Sequence, residues 1–217
     1  MTKLLKKSVA FFPSVASMAR NPYWPMLASA LEKDGINFQY ETPKAFTKSW
    51  LLSHQNRVHV LHIHYCQPFY RKRRKASGKK VLIFFLRLLL ARLLGYRVVF
   101  TLHNLTPTYP LEPHWLDKLG HLVAIHLSER VIVHCDEAKR LLTKQYWRRR
   151  KVFVVDHPNF SDIYPNQISK EDAQNQLGLE NGEQFVFTYL GGIRPNKGIE
   201  PLIQAFQELK DDKSRLV

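Results

Sequence analysis

Three groups of residues in this chain have the types and spacing to do chemistry. The stretch GGIRPNKG, residues 191–198, sets two glycines, an arginine and a lysine between an apolar run and a helical one. A loop that leaves the C-terminal end of a parallel strand and opens a helix presents free backbone N–H groups and the positive end of the helix dipole, which suits phosphate. Gly191 and Gly192 let the backbone approach a ligand closely. Arg194 and Lys197 add positive charge, and a guanidinium grips two phosphate oxygens at once. The other reading is an ordinary βα turn with exposed basic residues, because short glycine motifs are common.

The second group is histidine. His62 and His64 lie two apart in RVHVLHIHY, so a strand turns both to one face. They are either part of a metal site, with no evident third ligand, or hydrogen-bonded strand-end histidines. His103 ends the apolar run YRVVFTLHN with Asn104 beside it, where ligands collect in open α/β sheets. His157 precedes Pro158 and reads as part of a hinge. The third group is the run 70–97, YRKRRKASGKKVLIFFLRLLLARLLGYR. Arg71, Lys72, Arg73, Arg74, Lys75, Lys79 and Lys80 precede an apolar helix that Arg87 and Arg92 interrupt. Its apolar lengths fall far short of the ~20 residues that span a bilayer. It reads as an interfacial helix with its basic flank on anionic headgroups, or as a core helix beside a solvated basic loop. WRRRK, 147–151, adds a second basic patch.

The elements that must position these groups read off the pattern. SVAFF (8–12) is a short buried strand, and I36–Y40 alternates like another. Between them NPYWPMLASALEKDG is a helix, with Asn21 as cap, Pro22 in the first turn and Gly35 as terminator. RVHVLHIHY, YRVVFTLHN, RVIVHC and KVFVV are further strands. Helices are expected at VLIFFLRLLLARLLG, at 113–128 and, capped by Asp136, at EAKRLLTKQYW. Strands apolar on both faces, alternating with helices, predict a Rossmann-like α/β fold: a parallel sheet with helices on both faces. This gives a first domain over 1–155, a linker over 156–184 that holds a small capped helix (SKEDAQNQLG), and over 185–217 the first βα unit of a second, incomplete α/β domain.

The composition is that of an ordinary globular protein of 217 residues, 45% hydrophobic and 24% charged. Its charge is lopsided: residues 1–150 hold 26 Lys/Arg against 8 Asp/Glu, and residues 151–217 hold 7 against 10. The first part is therefore expected to face a polyanion. Nucleic acid is the weaker choice of polyanion, since there is no RNP-like signature, zinc-finger spacing or recognition-helix pattern, and the basic residues sit beside a greasy helix rather than between aromatics. Cys66 and Cys135 are expected to be buried reduced thiols.

FTYLGGIRPNKGIEPLIQAFQEL resembles the start of the C-terminal domain of retaining GT-B glycosyltransferases, family 4 type (glycosyl transferases group 1). NPYWPMLASALEKDG, VHVLHIHY, VVFTLHN, ERVIVHCDEAKRLL and VFVVDHPNF resemble that family's N-terminal pieces, in its order. The resemblance implies an acceptor-binding N-terminal domain and a C-terminal domain holding a nucleotide-diphosphate sugar as donor substrate, with no metal or other cofactor. It puts the phosphate-binding Lys at Lys197, the family glycine at Gly191, and the cleft histidine, beside the transferred sugar, at His103. Gly192 stands where the family often has Arg, leaving Arg194 to substitute. The implied reaction has the β-phosphate as leaving group and the acceptor attacking on the leaving-group face, with no enzymic nucleophile assigned. The acceptor is expected to be lipid-linked or a saccharide, with the protein cytoplasmic and bound peripherally to the inner face of the membrane. The family's paired glutamates, E-x7-E, fall beyond Val217. The chain therefore reads as the front of a longer enzyme, or a split or inactive one, and the 217 residues alone are expected to bind acceptor or membrane without transferring sugar.

Overall fold

The computed structural model describes residues 8–12, 21–72, 75–106, 113–161, 163–165, 167–179, 185–194, 197–211 and 213–217, with Lys72 described in its backbone alone. The chain forms two compact units that meet in sequence at Phe160 and Ser161.

In the first unit the elements are β1 (Ser8–Phe12), α1 (Tyr23–Lys33), β2 (Asn37–Tyr40), α2 (Lys48–His54), β3 (Val60–Ile63), α3 (Gln67–Tyr70), β4 (Arg71–Lys72), β5 (Lys75–Ala76), α4 (Gly78–Leu93), β6 (Arg97–Thr101), α5 (His114–Leu127), β7 (Arg130–Val133), α6 (Asp136–Tyr146) and β8 (Val152–Val154). Six strands form one parallel sheet in the order β2-β1-β3-β6-β7-β8, the Rossmann-like α/β architecture that the pattern predicted. Strand order reverses between β1 and β3, the switch point where ligands settle in such sheets.

Alternation along the strands sorts the side chains. One face carries Ala10, Phe12, Leu61, Ile63, Val98, Phe100, Val131 and Val133, all buried, and packs on Leu51, Phe84, Leu88, Ala124 and Leu142 of α2, α4, α5 and α6. The other face carries Val9 and Phe11 and packs on Tyr23 and Trp24 of α1. Asn21 Oδ1 accepts from Tyr23 N at 3.0 Å, which starts α1. Its end is closed by Gly35 at φ 72°, where Ile36 N bonds Leu31 O at 2.9 Å. Gly120 lets α5 touch Tyr70, because a Cβ there would lie 2.3–2.8 Å from the phenol ring.

Several local expectations change. Helix α6 is capped by Cys135, whose Sγ accepts from Ala138 N at 3.4 Å, and Asp136 is its first helical residue. The cap function keeps Cys135 exposed, while Cys66 is buried as expected. Strand β3 is shorter than RVHVLHIHY, because Arg57 and Val58 close a turn onto His54 O. Helix α2, capped by Thr47 Oγ1 accepting from Trp50 N, was not foreseen.

In the second unit are α7 (Lys170–Gln176), capped by Ser169, β9 (Phe185–Phe187), α8 (Ile199–Leu209) and β10 (Ser214–Leu216). Strands β9 and β10 pair in parallel, so the expected βα unit is a βαβ unit. Helix α8 buries none of its residues.

Candidate functional site

The C-terminal ends of β3, β6, β7 and β8 release a histidine each: His64, His103, His134 and His157. The sheet therefore sets four imidazoles side by side along its crest. His64 Nδ1 lies 3.2 Å from His103 Nε2, and His103 Nδ1 lies 3.2 Å from His134 Nε2. His134 Nδ1 lies 2.8 Å from the Val155 carbonyl. The Tyr65 ring stacks on His103 at 4.8 Å. Tyr23, at the start of α1, meets the rings of His64, His103, His134 and His157 at 5.3–6.3 Å. Trp24 lies edge-on to His64 at 4.4 Å.

This crowding sets the charge of the site. Burial first, then the neighbouring His134 and His157, lower His103 to about 4. Burial first, then His62, His103 and His134, hold His64 well below the ordinary imidazole value. Burial pushes Tyr23 up to about 12, with Tyr65 adding to the rise. At neutral pH His64 and His103 are therefore uncharged, suited to stacking and hydrogen bonding with a polar, uncharged ligand. Beside it Tyr23, Leu27, Thr101, His134 and Asp156 help line a cavity of about 270 Å³.

His62 and His64 do share one face of β3, with ring centres 4.1 Å apart. His62 Nε2 is bonded to Thr101 Oγ1 at 2.8 Å, and burial, then His103, lower His62 to about 3. No group of three metal-ligating side chains occurs among the described residues. His103 is half-buried in the row, and Asn104 is exposed in the loop that follows. His134, Tyr23 and Tyr65 escaped the sequence reading. The signal was there for His134, since RVIVHC carries a histidine next to its last residue as HIHY and TLHN do, on neighbouring strands of the sheet.

In the second unit the glycine loop runs from β9 to α8. Gly191 has φ 153°, and a Cβ there would meet the Tyr189 hydroxyl at 3.2 Å. That hydroxyl donates to Gly192 O at 3.1 Å and braces the turn. Gly198, at φ 67°, begins α8 with no side-chain cap. The first-turn N–H groups of α8 therefore lack the side-chain acceptor that a Ser or Asp cap supplies. Arg194 and Lys197 are both exposed beside them.

The basic run is divided by the structure. Arg71 turns inward: its Nε donates to Asp117 at 2.8 Å and its guanidinium forms an ion pair with that buried carboxylate. Lys75 and Lys79 are exposed and Lys80 half-buried. Arg73, Arg74 and the Lys72 side chain lie outside the described residues. At the far end of α4, Arg92, Trp147, Arg149, Arg150 and Lys151 line a second basic surface around a cavity of about 480 Å³.

Two solved structures of one Anabaena protein, HepE, share the fold. HepE in complex with UDP matches at 16% identity with a TM-score of 0.59. HepE in complex with UDP and glucose matches at 15% with a TM-score of 0.57. Each match covers 97% of this chain and 60% of the HepE chain. No protein-family profile matches the sequence, and no curated protein does. At such identity the likeness is one of fold: a Rossmann-like parallel sheet of the kind used in GT-B domains.

Proposed function

We propose that this chain serves glycosyl transfer from a nucleotide-diphosphate sugar to a lipid-linked or saccharide acceptor, as a retaining GT-B enzyme of family 4 type, at the inner face of a membrane. The observation that carries the reading is the glycine loop: an uncapped helix N-terminus with two exposed cations, following a parallel strand, in a fold that holds UDP and glucose in HepE. Gly191, Gly192, Arg194 and Lys197 are assigned to the diphosphate. There, backbone N–H groups and cations stabilise charge developing on the leaving group without a metal. His103, with Asn104 beside it, is assigned to the sugar, which the aromatic crest of the first unit suits. Incubation with a panel of radiolabelled nucleotide-diphosphate sugars and extracted lipids tests it. Label moving into the lipid or saccharide fraction supports the reading, and label staying on the nucleotide with every donor counts against it.

A second reading is favoured by one observation, the lack of any buried residue in α8: the chain is an acceptor- and membrane-binding module without turnover. Membrane attachment belongs to both readings. On the outer side of α4, Leu82, Leu86, Leu89 and Leu93 recur every three or four residues and are 56%, 51%, 37% and 76% exposed. Residues 70–97 hold ten Lys/Arg and no Asp/Glu, and Trp147 stands exposed near the helix end. An apolar row flanked by cations suits an anionic lipid surface. Among the described residues no helix is long and apolar enough to cross a membrane. Sedimentation with anionic but not neutral vesicles, without label transfer, would select the module.

A further inference from the structure

We propose that His134 is a positioning residue: held by the Val155 carbonyl, it locks His103 and His64 into one tautomer pattern, with His103 donating through Nδ1 and accepting through Nε2. A carbonyl has no proton to give, so the hydrogen of the 2.8 Å contact sits on His134 Nδ1. A neutral imidazole has one N–H. His134 Nε2 is therefore a lone pair and accepts from His103 Nδ1–H at 3.2 Å. His103 Nε2 is then a lone pair as well and accepts from His64 Nδ1–H at 3.2 Å. The row ends on the His64 Nε2 lone pair, which is the one buried side-chain polar atom among the described residues without a partner.

The opposite order fails at both ends. It would aim the His134 Nδ1 lone pair at the Val155 oxygen and leave an unpaired N–H buried at His64, the rarer kind of orphan. Protonation would relax the order by adding a second N–H, but burial keeps His64 and His103 neutral. The groups facing the row include Tyr23 and Trp24 from α1, Phe11 of β1, His62 of β3, Tyr65 after β3 and His157 after β8.

The lock has a chemical consequence, which rests on reading the crest as a sugar site. Any ligand group that replaces the His64 N–H at His103 Nε2 must bring its own hydrogen. A sugar hydroxyl does so; an ionised phosphate oxygen does not.

The test is long-range 1H–15N correlation on protein labelled with 15N-histidine at pH 7. We expect protonated Nδ1 and unprotonated Nε2 at both His103 and His134 in the wild type. His134→Gln keeps a donor for the carbonyl and an acceptor for His103, so it is expected to leave His103 unchanged. His134→Leu removes both and is expected to let His103 change to the Nε2–H form that free imidazoles favour. A wild-type His103 protonated at Nε2, or one that stays protonated at Nδ1 in His134→Leu, overturns the lock. The wild-type spectrum decides the point even where the Leu variant fails to fold. No ligand is needed, so a failure of sugar transfer leaves the lock standing, and the loss of the lock leaves sugar transfer standing.

Discussion

The two units use the same βαβ grammar with opposite results. In the first, helices packed on a six-stranded sheet enclose Phe12, Leu61, Ile63, Phe100, Val131 and Leu142 at no more than 1% exposure. The surface that remains is fixed in advance, with each crest histidine between van der Waals and hydrogen-bonded neighbours. In the second, α8 buries none of its residues; Phe206 meets Phe187 of β9 with ring centres 5.9 Å apart, and Phe185 and Ile193 stay exposed at 64% and 87%. Its helix α8 starts without a side-chain cap, beside the exposed Arg194 and Lys197. The difference teaches where order comes from: the crest is organised by packing, and the glycine loop, as proposed, by an anion.

The largest way to break that contrast is to unpack the first unit. Asp117→Ala removes the buried carboxylate that pairs with Arg71, and losing one partner of a buried pair costs about 3–5 kcal/mol. Gly120→Val drives a side chain into Tyr70 and should cost about 1–3 kcal/mol. In the second unit, Phe206→Ala should cost below about 1 kcal/mol, because its site is already open. Thermal or urea unfolding measures all three. A Phe206→Ala loss equal to that of Asp117→Ala would erase the distinction.

Acid should find the first unit next. His62 and His103 are lowered to about 3 and 4 from an ordinary 6.5, so the folded chain binds fewer protons than the unfolded one below pH 6.5. Stability contributed by these neutral rings is whole above pH 6.5 and drains as pH falls toward 4, by a few kcal/mol at about 1.4 kcal/mol per pH unit for each ring. Unfolding midpoints from pH 7.5 to 4.5 measure it, and a flat profile would contradict the burial of the row.

Ligand effects are smaller and fall in the second unit. Lys197→Ala should weaken UDP binding by roughly tenfold, about 1.4 kcal/mol, with no change in melting temperature, and Arg194→Ala should act alike. Smallest is the membrane effect. Lys79→Gln should lower partitioning onto anionic vesicles by about 1 kcal/mol, read by sedimentation, with partitioning onto neutral vesicles unchanged.

How much the sequence disclosed also differs between regions. Strands apolar on both faces and helices with clear terminators such as Gly35 and Gly95 made the first unit legible, because their signals are local. Helix α2 was missed because a single Thr47 cap is a weak signal without a long apolar period behind it. Strand β10 was missed because SRL has no periodicity and gains its form from pairing with β9. His103 was found one residue at a time, whereas the row it belongs to needs the register of four strands, which no local pattern contains. The ion pair of Arg71 was hidden inside a basic run, where composition makes every cation look equally solvated.

The claim that the loop from Gly191 to Gly198 binds a diphosphate is tested most directly by titrating UDP into 15N-labelled protein. The account predicts saturable shifts concentrated on the amides of Gly191, Gly192, Gly198 and the first turn of α8, lost in Lys197→Ala. Shifts absent from those amides at saturating UDP, or unchanged by that substitution, would contradict it.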